Sequence, residues 1–266
     1  MNDREIPPIG LGTWQNTDPE QCADSVSFAL DYGYRHIDTA QAYDNEEYVG
    51  DGLARADVDR EEYFLATKVW IDSLGYDDVL SSTQESLEKL GVDYVDILYV
   101  HWPAGDYDTE ETMRAFNELY DDGKIRNIGV SNFTPEDLEE AVEVSDAPIL
   151  ANQVEMHPLL QQDEILGYAD ELGIEVVAYS PLARGKVFDI PEITEIADKH
   201  NADEAQVSLA WIDEKGAHPI PKATSSDHIR DNYAALELEL DDEDIEKIDS
   251  IKREERLVDP DFSPDW

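Results

Sequence analysis

Eight short apolar runs, spaced along the chain by stretches with helical periodicity, constrain the fold more than any other feature of this sequence. The runs occupy residues 9–13, 36–38, 63–68, 95–100, 127–130, 149–154, 175–179 and 218–220. They are brief and rich in β-branched residues, as strands buried on both faces of a parallel sheet are. Parallel neighbours need a crossover connection, and a helix supplies it. Helical patterns fill residues 19–30, 46–56, 77–90, 109–121, a segment opening at Pro135, and 163–172. Two more, 191–200 and 203–215, precede the last run, and 226–233 and 241–251 finish the chain. The punctuation agrees. Thr17 or Asp18 caps the first helix, Thr134 with Pro135 and Asp137 comes close to a capping box, and Gly91, Gly123 and Gly173 close three others. Eight alternations in 266 residues predict an α/β chain folded as a (β/α)8 TIM barrel, a single domain over residues 1–266. The rival is an open doubly wound sheet, which carries G-x-G-x-x-G after its first strand. Here Gly10-Leu11-Gly12-Thr13-Trp14-Gln15 lacks the third glycine.

Charge narrows the partners. There are 64 acidic against 19 basic residues, a formal net charge of −45. Nucleic acid is not an expected partner, because neutralising phosphates takes clustered Lys and Arg. The acids are spread among periodic apolar residues, as on a solvated surface and not in a disordered tail. Such a surface repels itself in dilute buffer and is screened in brine, so a halophilic, salt-requiring protein is expected. No apolar run is long enough to span a bilayer, and the polar start Met1-Asn2-Asp3-Arg4-Glu5 lacks a signal-peptide pattern, so no membrane and a cytoplasmic location are expected. The single cysteine, Cys22, reads as a small residue on the first helix and builds neither a disulfide nor a metal site.

Chemistry collects where the runs end. Asp38 ends the second, with Tyr43 five residues on. Lys68, then Val69-Trp70, ends the third, and His101-Trp102-Pro103 follows the fourth. Ser131-Asn132 follows the fifth, the sixth carries Asn152 and Gln153, the seventh ends in Tyr179-Ser180, and Lys222 lies just past the eighth. In a parallel barrel these ends share one rim, where barrel active sites are built. Taken singly, Asp38 with Lys68 reads as a structural ion pair, His101 as a core histidine, and Tyr43 as any of 13 tyrosines. Taken jointly they suit proton delivery to an oxygen. A tyrosine is a sluggish acid with an ordinary pKa of about 10, and an adjacent ammonium is expected to lower it. His101 can donate to a carbonyl oxygen and orient it. Nothing in a protein side chain supplies hydride, so a nicotinamide cofactor is implied.

Three segments resemble the signatures of the aldo-keto reductases, here the short prokaryotic type similar to 2,5-diketo-D-gluconate reductase. Gly33-Tyr34-Arg35-His36-Ile37-Asp38-Thr39-Ala40, continuing through Tyr43 and Glu46 to Val49-Gly50, is similar to the first. Gly123-Lys124-Ile125-Arg126-Asn127-Ile128-Gly129-Val130-Ser131-Asn132-Phe133 resembles the second, and Ile220-Pro221-Lys222 opens the third. The resemblance runs from about Ile6 to Ile251. It implies NAD(P)H-dependent reduction of aldehydes and ketones to alcohols, reversible, by a monomeric barrel with a small carbonyl or alcohol substrate. It places the catalytic tetrad on Asp38, Tyr43, Lys68 and His101. It puts Ser131, Asn132 and Gln153 on the nicotinamide carboxamide, Tyr179 against the ring, Ser180 and Leu182 along the pyrophosphate, and Lys222 with Thr224 at the ribose 2′-phosphate. Asp231 and Asn232 fall near the adenine, and Trp14, Trp70 and Trp102 on the substrate pocket. The third signature departs from the family. Ala223 stands for a serine, and His228 for an arginine whose charged fork would grip phosphate. NADP(H) is therefore the expected cofactor, with NAD(H) usable as well.

Two other readings remain from the residues. A non-catalytic NADP(H)-binding regulatory module would bind cofactor without turnover, and would need a docking surface that no exposed apolar stretch supplies. A barrel acting on phosphorylated sugars would need a glycine-rich phosphate loop, for which Ala183-Arg184-Gly185-Lys186 is the only candidate. The tail from Arg253 to Trp266 either folds over the rim through Phe262 and Trp266 or is loose.

Overall fold

The computed structural model describes residues 5–266. Its strands are β1 (Leu11–Gly12), β2 (His36–Asp38), β3 (Phe64–Val69), β4 (Ile97–Val100), β5 (Ile128–Ser131), β6 (Ile149–Glu155), β7 (Glu175–Tyr179) and β8 (Ala217–Pro219). They form one eight-stranded sheet in sequence order, every neighbouring pair parallel. The sheet curls until its edges meet. Gly10 N donates to Pro219 O at 2.9 Å, Gly12 N donates to Pro221 O at 3.1 Å, and Gly12 bridges Lys222. The fold is therefore α/β and barrel-like.

The helices are α1 (Pro19–Tyr32), α2 (Glu46–Arg55), α3 (Tyr76–Leu90), α4 (Thr109–Asp121), α5 (Pro135–Val144) and α6 (Asp163–Leu172). After them come α7 (Pro191–His200), α8 (Glu204–Glu214), α9 (Ser226–Tyr233) and α10 (Asp242–Asp249). Their ends are set locally. Asp18 caps α1 by accepting from Gln21 N, and Thr134 and Asp137 close a reciprocal box on α5. Such caps contribute about 1 kcal/mol each. Gly91 ends α3 at φ 69°, a left-handed turn that a Cβ would strain. No helix of the described residues is long and apolar enough to cross a membrane.

Alternation along the strands assigns the two faces. Leu65, Leu98, Val130 and Val154 pack outward with helix residues such as Val26, Phe116 and Trp211 in the main core. Phe64, Ala66, Ile97, Tyr99, Ala151, Val177 and Ile220 form a second cluster inside the curl. Tyr99 fills its centre so closely that a Cβ on Gly129 would stand 2.5 Å from the ring. Size at that point is conserved by pairing a large ring with no side chain at all.

Candidate active site

The inward parity of the strands continues past the apolar plug, and there the residues turn polar. Positions 64 and 66 lead to Lys68, 97 and 99 to His101, 151 to Gln153, and 177 to Tyr179. The side chains named from sequence thus emerge on one rim because they are the next inward steps of strands whose lower steps make the core.

Lys68 is fully buried, and its ammonium has three donors to place. Nζ donates to Asp38 Oδ1 at 2.5 Å, to Thr39 O at 2.8 Å and to the Tyr43 hydroxyl at 3.3 Å. The other Asp38 oxygen accepts from Gln153 Nε2 at 2.8 Å. The Asp38 carbonyl accepts from Thr13 Oγ1 and Thr13 N, both at 3.0 Å. The carboxylate is therefore satisfied on both oxygens, as a buried charge must be. Tyr43 sits on a single turn of 3-10 helix, Gln41–Tyr43, and its oxygen accepts from Lys68, which leaves its own proton free for another acceptor.

Electrostatics sort the groups. Burial, helped by the Asp38 charge, pushes the Tyr43 hydroxyl well above its ordinary pKa. The expectation that Lys68 lowers it is reversed: taking the hydroxyl out of water disfavours the phenolate, and the Asp38 charge adds to that. Burial pulls Lys68 below its usual range against the opposing pull of Asp38. Burial and then the Lys68 charge hold His101 well below 6.5, so its imidazole is neutral near neutral pH. Its Nδ1 is buried without a hydrogen-bond partner.

A cleft of about 1240 Å³ opens over these residues. Asp38, Tyr43, Trp70, His101, Trp102 and Trp14 are among its lining residues, as are Ser131, Asn132, Gln153, Tyr179, Ser180, Leu182 and Lys222. Asn132 donates to His101 O and to Ser131 Oγ, both at 3.0 Å, and accepts from Tyr179 OH at 2.8 Å. Ser131 Oγ donates to Gln153 O at 2.8 Å. Asn132 and Ser180 hold left-handed φ of 63° and 51°, strain that the surrounding bonds maintain beside the cleft. Thr224, His228, Asp231 and Asn232 do not line this cleft. They lie beyond Lys222, the last three on α9, where His228 and Asp231 are exposed and Asn232 is buried.

Sequence reasoning missed several supports. Gln41 accepts from Trp70 N at 3.0 Å and donates to Ser86 Oγ at 3.2 Å, fixing the wall next to Tyr43. Arg184, at φ 52° in the turn after β7, lies 4.8 Å over the Trp14 ring. The tail does fold over the rim. Phe262 meets Trp70 and Trp102 edge-on with ring centroids at 5.8 and 5.6 Å, and Trp266 meets Trp102 at 6.3 Å. His101 is itself edge-on to Trp70 at 5.0 Å and to Tyr43 at 5.8 Å, so tail, wall and site form one aromatic stack.

Known proteins share this chain's fold and much of its sequence. The Aldo/keto reductase family matches residues 8–253. Glyoxal reductase of Bacillus subtilis is 42% identical over 256 residues, covering 96% of this chain and 92% of its own. Methylglyoxal reductase DkgB of Escherichia coli O157:H7 is 42% identical, covering 98% and 99%. An aldo-keto reductase of Bombyx mori, solved in complex with NADP, superposes with a TM-score of 0.91 at 34% identity, covering 97% of this chain and 94% of its own. With a family match over nearly its whole length, this chain belongs to the aldo/keto reductase family and is an oxidoreductase that reduces carbonyl groups.

Proposed function

We propose that Tyr43 is the proton donor of this reductase, and that Lys68, Asp38 and His101 complete its catalytic group. The observation that carries this is the Lys68 ammonium, whose three bonds hold Asp38, Thr39 and the Tyr43 oxygen together. Because the Tyr43 oxygen accepts from Lys68, its proton points away from that bond. As the proton leaves, the ammonium stabilises the phenolate that forms, a role its ground-state field does not need to anticipate. Asp38 keeps Lys68 charged, and Gln153 keeps Asp38 in place. Neutral His101 offers a hydrogen bond to the carbonyl oxygen and does not compete as an acid near neutral pH.

The cleft suits a nicotinamide cofactor. Its walls combine hydroxyl and amide groups at Ser131, Asn132 and Gln153 with the Tyr179 ring, and they include the exposed cation Lys222. When bound there, the cofactor supplies hydride to the carbonyl carbon. Lys222 with Thr224 meets the 2′-phosphate, and Asp231 and Asn232 the adenine end. With His228 in place of a guanidinium the phosphate grip is reduced, so NADH is usable beside NADPH. Small 2-oxoaldehydes are the first substrates to try, since two relatives are named for glyoxal and methylglyoxal and the aromatic wall favours compact molecules.

The remaining expectations form one picture. The chain is a closed (β/α)8 barrel, a single domain, monomeric, working in a cytoplasm rich in salt that screens its −45 charge. The test is turnover of NADPH and of NADH in molar KCl against glyoxal, methylglyoxal, larger aldehydes and ketones. Turnover with kcat/KM for the two cofactors within about two orders of magnitude supports the reading, a gap of less than about 3 kcal/mol. Tight cofactor binding without turnover of any carbonyl sinks it.

A further inference from the structure

We infer that Glu155, a buried carboxylate outside the catalytic group, is the latch that sets the substrate end of the cleft by pinning the C-terminal tail. Glu155 ends β6 and has no exposed surface. It follows Gln153 in the inward parity, yet it does not reach toward Lys68. Its Oε1 accepts from Leu257 N at 2.9 Å, and its Oε2 accepts from Leu257 N at 3.1 Å and Val258 N at 2.9 Å. A carboxylate only accepts, so the His157 Nε2 at 2.9 Å donates to it as well. One carboxylate thus holds two consecutive main-chain amides of a segment about a hundred residues away.

The segment it holds is a closed loop. Upstream, Glu255 N donates to Leu159 O at 2.7 Å, and Lys186 pairs with the Glu255 side chain. Downstream, the Arg256 guanidinium lies 3.7 Å over the Trp266 ring, and Trp266 Nε1 donates to Asp259 Oδ1 at 3.3 Å. The two ends of the loop therefore fasten to each other, as in a compact Ω-loop. Between them Leu257, Val258, Asp259, Pro260 and Phe262 line the cleft. Phe262 is the part that faces Trp70 and Trp102. The bonds at Glu255 tie the start of the loop to the barrel but leave the cleft-lining residues after it without a main-chain anchor there. Glu155 gives them one, because amide bonds to a buried, charged acceptor are stronger than those to a neutral one. Glu155 is in this sense a positioning residue. It touches no substrate and acts through Phe262, so its loss changes how carbonyl compounds bind and leaves the proton donor alone.

This inference rests on the reading of the cleft as a carbonyl site, and two kinds of readout keep the two apart. Amide exchange tests the latch without catalysis. In the wild-type chain, Leu257 and Val258 exchange more slowly than Asp261 and Asp265, and in Glu155→Gln that protection drops. A Gln side chain accepts on one atom only and presents its own N–H groups at the other. Equal exchange across the wild-type tail overturns the latch, even if the variant fails to fold. Kinetics test the consequence. Glu155→Gln raises KM for a small aldehyde roughly 10-fold, the scale of one lost hydrogen bond to a charged group, with kcat and NADPH affinity near wild type. In a Phe262→Ala background the same substitution adds little, because both act on one wall. A full additive rise in the double variant, or a fall in kcat with unchanged KM, overturns the role assigned to Glu155. Absence of turnover in the wild-type chain is instead the failure of the carbonyl reading, and leaves the exchange result standing.

Discussion

Two buried carboxylates sit at the ends of two strands on the same rim, and they have different kinds of partner. Asp38, at the end of β2, faces the Lys68 ammonium and the Gln153 amide. Glu155, at the end of β6, is hydrogen-bonded to two main-chain N–H groups and a histidine ring, with the Arg256 guanidinium near enough to feel its charge but not bonded to it. Both solve the same problem, since a carboxylate taken out of water must be fully hydrogen-bonded. They solve it to different ends. A cation partner keeps a mobile charge beside a reacting oxygen, and that suits chemistry. Main-chain partners carry no net charge to share but fix where a loop lies, and that suits selection of the substrate.

The sharpest way to break this comparison is to delete the cation. Lys68→Met leaves Asp38 buried opposite an apolar chain, and kcat falls roughly 1000-fold, within the range for a disabled general acid. Urea unfolding reports a loss of about 3–5 kcal/mol, the cost of stranding one member of a buried pair. Kinetics that damage kcat as strongly in Glu155→Gln would erase the distinction. Next in size is the wall that the latch holds. Phe262→Ala raises KM for small aldehydes about 10-fold with kcat retained, on the scale of a half-buried aromatic contact. A smaller effect, spread over the whole surface, comes from salt. The melting temperature rises as KCl goes from low to molar concentration, because screening relieves repulsion among the 64 acidic residues. A melting temperature that falls would remove the halophilic reading. The smallest expected change is none. The Tyr43 pKa is raised, so the acid is fully protonated throughout the neutral range and is lost only as pH climbs through that raised value. His101 is held well below 6.5 and gains a proton only in acid. The pH profile of kcat for reduction is therefore flat across neutrality, and a break near 6.5 would hand the proton to His101.

The same contrast explains what the sequence could disclose. That Asp38, Lys68 and His101 share one rim could be read from the sequence because each is a distinctive residue type at the end of an apolar run, with Tyr43 five residues past Asp38, and Lys68 bonds the side chains of both Asp38 and Tyr43. β7, α6, α7 and α9 have the bounds that their patterns predict, and the caps at Asp18 and Thr134 are where the local chemistry puts them. β1 is shorter than its apolar run, only Leu11–Gly12, with Gly10 N bonded singly to Pro219 O on one side and Thr13 N to Asp38 O on the other. The 3-10 turn that presents Tyr43 has too few residues to show a period. Glu155 was invisible for a deeper reason. Its partners are amides of Leu257 and Val258, and a main-chain donor leaves no trace in residue type. The tail's course over the rim depends on those bonds and on ring contacts between residues far apart, which no local pattern encodes.

The central claim is that Tyr43 delivers the proton, and single-turnover reduction of methylglyoxal by NADPH-loaded wild type and Tyr43→Phe tests it most directly. The account predicts a rate at least ~100-fold lower in the variant, with NADPH affinity measured on the same samples unchanged. A variant that reduces within a few-fold of wild type, with cofactor bound as tightly, would contradict it.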